Sequence, residues 1–273
     1  MLRKLFKYEM RSTGILYIIF DIVVLAVSLI AGFTMRSMVN QTVYNVYQAS
    51  KAVNAATLLF ILFVFIYIIM VAALCVITLV MIIQRFWKNM LGAEGYLMHT
   101  LPVPVWKQVM AKTLSAFVWQ LIMMAVGIVS LLMIGVIGCG GIGSLLQSIG
   151  YENFSLVSSM PETILSIICA ITSIIYGTLM LYAAMALGAG FNKHKVLLSF
   201  LIYIGFVIVL KVISVFAVSG DVYMGLTESL IFGGGNYNYV TSYLIPAIIR
   251  NIVFAVAFFF ITSAALKRRL NLE

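Results

Sequence analysis

Long uncharged apolar runs alternate with short polar stretches along the whole chain. Residues 57–83 carry no formal charge, and neither do residues 113–137. About 20 apolar residues cross the hydrocarbon core of a bilayer, so each run predicts a transmembrane helix. Six such segments emerge, at 14–33, 57–83, 113–137, 163–191, 196–218 and 242–266. The polar stretches between them reach about 25 residues, short of the roughly 40 that a self-standing soluble core needs. The pattern therefore predicts an all-α membrane protein with six transmembrane helices, organised as one transmembrane domain over residues 1–273.

Composition agrees. The chain is 64% hydrophobic and 9% charged, whereas soluble domains carry about a quarter charged residues. The net charge is +9, and its placement carries more information than its size. Arg3, Lys4, Lys7, Arg11, Arg85, Lys88, Lys107, Lys112, Lys193, Lys195, Lys267, Arg268 and Arg269 fall on one side of the predicted membrane. Arg36 and Lys51 alone fall on the other. Positive residues collect on the cytoplasmic side, so both termini and the 84–108 loop are expected in the cytosol of a multi-pass cell-membrane protein. Cations that flank apolar runs do not form a solvated basic face, which argues against nucleic acid as a partner.

The N-terminal cations followed by an apolar run resemble a secretory signal. That run is longer than the ~7–15 residues of a signal core and contains Asp21, so it is read as a retained first span. Ahead of it, Leu2, Leu5, Phe6 and Met10 share one helical stripe among Arg3, Lys4, Lys7 and Arg11. This spacing predicts a short amphipathic helix at the cytosolic membrane interface. On the outer side, 138–162 and 219–241 contain no Lys or Arg. Leu226, Leu230, Ile231 and Phe232, closed by Gly233, Gly234 and Gly235, predict either short helices dipping into the outer leaflet or an ordinary outer loop.

Three ionisable residues lie inside apolar runs: Asp21, Lys211 and Arg250. Each costs at least ~2.5 kcal/mol at mid-bilayer, which makes it a functional candidate. Lys211 and Arg250 sit in the outer halves of their spans, where long side chains snorkel towards the headgroups. Asp21 is too short to do so and is assigned a buried polar role. If that role is structural, Asp21→Asn is better tolerated than Asp21→Leu.

The 84–108 loop, QRFWKNMLGAEGYLMHTLPVPVWKQ, is more organised than a connector. Residues 84–91 can prolong the second span, with Gly92 as a stop. A separate short helix is expected over 93–101, with Leu97, Met98 and Leu101 on its apolar face. Glu94 stands in its first turn, where the helix dipole favours an anion. Pro102 ends it, and Pro104 suits the first turn of the next helix. A helix of about two turns is not stable alone, so neighbours or a partner must hold it.

This segment resembles the coupling-helix region of the permease subunits of type-2 ABC exporters. In that family a Glu-Gly element precedes Leu-Pro-Val and the third span, matched here by Glu94, Gly95, Leu101, Pro102 and Val103. The layout of an amphipathic N-terminal helix, six spans and cytosolic termini is also similar. The resemblance implies an ABC transporter permease that forms half of a translocation path. It would pair with a second permease, identical or related. Two copies of an ABC ATPase subunit would bind the coupling helix through Arg85, Lys88, Glu94, Gly95, Leu97, Met98, Leu101 and Pro102. ATP and Mg would then sit on the partner subunit, with no cofactor in this chain. An amphiphilic peptide or lipid-like cargo follows by analogy with the fold.

Other chemistry is sparse. The chain has no phosphate-loop motif. Its one G-x-G-x-x-G match, from Gly138 to Gly143, follows a span instead of a strand and reads as a turn. His99 and His194 are far apart, and Cys75, Cys139 and Cys169 lack metal or disulfide spacing, so neither catalysis nor a metal site is expected. The competing reading is a stand-alone membrane protein without an ATPase, either an ion-coupled transporter or an immunity or sensor-type binding protein. No internal repeat with broken helices at matching positions supports the ion-coupled version.

Overall fold

The computed structural model describes residues 2–45, 55–92, 104–148, 156–191, 194–232 and 239–268, and 96% of what it describes is helical. Seven α-helices follow in order: α1 Leu2–Asn45, α2 Ala55–Phe86, α3 Val105–Cys139, α4 Ile142–Ser148, α5 Leu156–Gly188, α6 Lys195–Phe232 and α7 Tyr239–Arg268. A π-helical turn, Trp87–Leu91, prolongs α2. Six stretches are long and apolar enough to cross a membrane: Tyr17–Asn40, Thr57–Leu91, Val105–Cys139, Thr163–Gly188, Lys195–Ser214 and Leu244–Lys267. The surfaces of these helices are apolar, with Ile22, Phe65, Leu131, Phe200 and Phe260 all more than half exposed. Hydrocarbon, not water, is the solvent such surfaces fit. This is a multi-pass membrane protein.

The chain divides into two compact units. One comprises Met1–Phe6, Ile82–Phe117 and Leu156–Glu273. Here α5 packs along α7 and α6, around a core that includes Phe86, Met90, Val109, Leu179, Ala183, Phe258 and Leu266. The other comprises Lys7–Met81 and Val118–Ser155, with Val24, Tyr67 and Leu74 packed against Met123, Val126 and Ile134. Within it α1 and α3 approach closely through small residues, as helices in membranes do. A Cβ on Gly32 would lie 3.0 Å from Cβ of Ile137, and one on Gly138 would lie 2.7 Å from Cγ of Met35. Hydroxyls inside the spans satisfy themselves locally: Thr78, Thr113 and Thr262 each donate to the carbonyl four residues back. Tyr67 and Ser130 join α2 to α3 by a 2.7 Å hydrogen bond.

Several boundaries differ from the sequence expectation. The amphipathic segment carrying Leu2, Leu5, Phe6 and Met10 is not a separate helix, because α1 runs unbroken for 44 residues. Nothing between Arg11 and Ile15 forces a break: there is no proline, and Gly14 alone costs only ~1 kcal/mol against alanine. Similarly, α6 continues through Ser219 to Phe232 as one 38-residue helix in place of separate dipping helices. At about 1.5 Å per residue it is about 57 Å long, nearly twice the ~30 Å hydrocarbon core. The third span starts at Val105, eight residues before Thr113, because Lys107 and Lys112 sit within the helix.

Candidate functional site

Where the 84–108 loop meets the helices, its two ends are fixed in one core. Phe86, Met90 and Val109 are each 0% exposed. The Phe86 ring stacks on Tyr182 of α5 at 4.2 Å and 13°. The π-turn closes with the Gly92 N–H donating to the Trp87 carbonyl at 2.8 Å. Gly92 is extended there (φ −88, ψ −171), so it ends the helix without the left-handed conformation usual for a stop glycine. On the return side, Lys107 N–H donates to the Pro104 carbonyl at 3.0 Å, which places Pro104 at the lip of α3. The first three turns of α3 expose one narrow stripe, Trp106, Met110 and Leu114. Gln108 and Lys112 are buried instead, and the Tyr182 hydroxyl donates to the Lys112 carbonyl at 3.5 Å.

Of the predicted partner-binding residues, Arg85 is half-buried and Lys88 exposed. Glu94, Gly95, Leu97, Met98, Leu101 and Pro102 lie outside the described residues. Sequence reasoning missed the core that fixes the two ends of the loop. Its only signal was the i, i+4 pair Phe86 and Met90, hidden in a run that is apolar throughout.

Asp21 belongs to the other unit. Tyr17, Asp21, Val24, Ser28 and Ala31 recur at spacings of four and three and form one buried stripe of α1. The Tyr17 ring stacks on Trp119 of α3 at 4.5 Å. Oδ1 of Asp21, Nε1 of Trp119 and Oε1 of Gln120 are buried without a hydrogen-bond partner. A buried polar atom left unpaired costs ~1–3 kcal/mol, and an apolar replacement of a buried ionisable group is often neutral or stabilising. This geometry reverses the order expected for a structural Asp21. Asp21→Leu is expected to hold or raise the midpoint of thermal unfolding in detergent relative to wild type, and Asp21→Asn to match wild type. A fall of several degrees in Asp21→Leu would show that the carboxylate supports the fold after all.

Lys211 and Arg250, treated singly in the sequence, line one cavity of about 250 Å³ between α5, α6 and α7. Tyr176, Ser214 and Asn251 add polar groups to its wall, and Met180, Val207, Leu210 and Phe254 add apolar ones. Asn251, 4% exposed, is held by a hydrogen bond from its amide to the Ser173 hydroxyl at 2.9 Å. The Tyr176 hydroxyl donates to Sδ of Met180 at 3.8 Å. No Asp or Glu stands among the lining residues. The sequence did hold a signal for this meeting. Lys211 is 16 residues from the basic end of its span at Lys195, and Arg250 is 17 from Lys267, so both stand about 25 Å along helices that start from basic ends.

The remaining candidates are dispersed. Gly140 (φ 87) and Gly141 (φ 149) form the turn between α3 and α4, a conformation that favours glycine. His194 (φ 56) caps the entry to α6, and His99 lies outside the described residues. Among the described residues no three His, Cys, Asp or Glu side chains come together as a metal site would require. No family model, curated protein or solved structure matches this chain.

Proposed function

We propose that this chain is the membrane-spanning permease subunit of an ATP-driven exporter of the ABC class. It forms half of a translocation path, with a second permease, identical or related, completing it. ATP and Mg belong to a separate ATPase subunit that grips residues 94–102, and this chain performs no catalysis of its own. The basic ends of its helices lie in the cytosol and the cargo is an amphiphile.

The observation that carries the reading is the packing at the two ends of the 84–108 loop. A coupling element transmits force only if its ends are stiff. Here the incoming helix is pinned by Phe86 and Met90, and the outgoing one by Val109, all fully buried. Both sides share a core with Leu179, Ala183 and Leu266, so displacement of the loop would move α5 and α7 with it. Close-packed interiors transmit strain instead of absorbing it. A loop serving only as a connector would need no such foundation. The test is to truncate Glu94 and Leu101 and to compare ATP turnover with membrane insertion.

A further inference from the structure

The cavity of Lys211 and Arg250 has a chemistry that the coupling argument does not use. Two cations face a space within helices that otherwise present hydrocarbon, and among the described residues no acid lines it. Intramembrane Lys and Arg ordinarily pair with acids or with backbone carbonyls, and a bound anion would supply the counter-charge that the described lining does not. Arg and Lys together favour a phosphate-like or carboxylate anion, which charge-assisted hydrogen bonds hold tightly.

The opening indicates what carries that anion. Lys211 is exposed, and the helix surfaces beside it are apolar and exposed. They comprise Ile208 and Val212 on α6, with Ile249 and Val253 on α7. A volume of about 250 Å³ falls just below the ~300–1,000 Å³ of pockets that enclose a whole small molecule. It suits a headgroup whose tail stays outside.

We propose that this cavity seats the anionic headgroup of a lipid-like amphiphile, with Lys211 and Arg250 on the charge and its hydrocarbon tail along the exposed faces of α6 and α7. The site belongs to the chain alone and stands whether or not an ATPase joins it, so binding is measured without nucleotide or partner.

The full chain would be purified in mild detergent and reconstituted in phosphatidylcholine nanodiscs containing a minor fraction of phosphatidylglycerol. Lipids that remain bound after re-extraction would then be counted by mass spectrometry. The wild type is expected to retain phosphatidylglycerol over phosphatidylcholine. The Lys211→Gln/Arg250→Gln variant should lose about tenfold of that preference, while the charge-preserving Lys211→Arg/Arg250→Lys variant keeps it. Excess inorganic phosphate should not displace the lipid, because it has no tail to bind the apolar faces. If the neutral variant does not fold, Val207→Trp, which fills the cavity and leaves both cations, should expel the lipid. Equal retention of both lipids by the wild type, undiminished retention by the neutral or cavity-filled variant, or displacement by inorganic phosphate would overturn the proposal.

Discussion

Leu101→Ala is expected to lower transport-linked ATP turnover by about tenfold or more, and Glu94→Ala by roughly two- to fivefold, while the chain still inserts and folds. In the helix that the sequence spacing predicts, Leu101 would end the apolar face that Leu97 and Met98 begin. An apolar anchor at the centre of an interface typically loses 2 kcal/mol or more on truncation to alanine, roughly a 30-fold weakening. Glu94 acts differently. In the first turn of the predicted short helix its carboxylate would offset the positive helix end by ~0.3–1 kcal/mol, and a helix of about two turns has little other local stability. Both substitutions leave the buried Phe86, Met90 and Val109 unchanged, so membrane insertion and thermal midpoint should stay at wild-type values. The measurement is ATP hydrolysis by the reconstituted complex, normalised to inserted protein. Wild-type turnover in both variants would remove the coupling role from this helix.

The second large effect is structural. Gly188→Ala is expected to lower the thermal midpoint by about 2–12 °C, the shift that about 1–3 kcal/mol of overpacking produces in a chain of this size. Gly188 is the last residue of α5, and a Cβ there would lie 2.6 Å from both Cα and N of Ser199 on α6. Those are backbone atoms, so no rotamer change relieves the clash and the two helices must separate. For the same reason Ser199→Gly should not rescue Gly188→Ala, since it removes the hydroxyl and leaves the backbone in place. An unchanged midpoint for Gly188→Ala, or full rescue by Ser199→Gly, would show that α5 and α6 do not approach there as described.

The six spans were legible because a charge-free run such as 57–83 has no alternative to a membrane. Their ends were less so. The third charge-free run begins only at Thr113, yet α3 starts at Val105, next to Pro104, the residue already read as suiting the first turn of that helix. Lys112 is buried although it counts as an ordinary membrane-flanking cation by composition. The end of the fifth apolar run near Val218 likewise suggested a break that α6 does not make.

The candidate sites divide in the same way. Asp21 stood out because a lone carboxylate in an apolar run is conspicuous, and its unpaired Oδ1 then altered what its removal should do. The meeting of Lys211 and Arg250 required counting inwards from the basic ends of two spans, a relation that single-run reading overlooks. The Phe86–Tyr182 stack left no trace in the sequence. In helices apolar on every face, periodicity no longer marks the packed side, and small residues such as Gly188 choose the partner by shape.

The most direct test is to purify the chain in mild detergent from its native membranes and identify what accompanies it. The account predicts a stoichiometric ATP-binding subunit, lost when residues 93–103 are replaced by a Gly/Ser linker that leaves the chain folded. A chain that comes through alone, under conditions that keep other membrane complexes of the same cells intact, would contradict it and favour a stand-alone membrane protein.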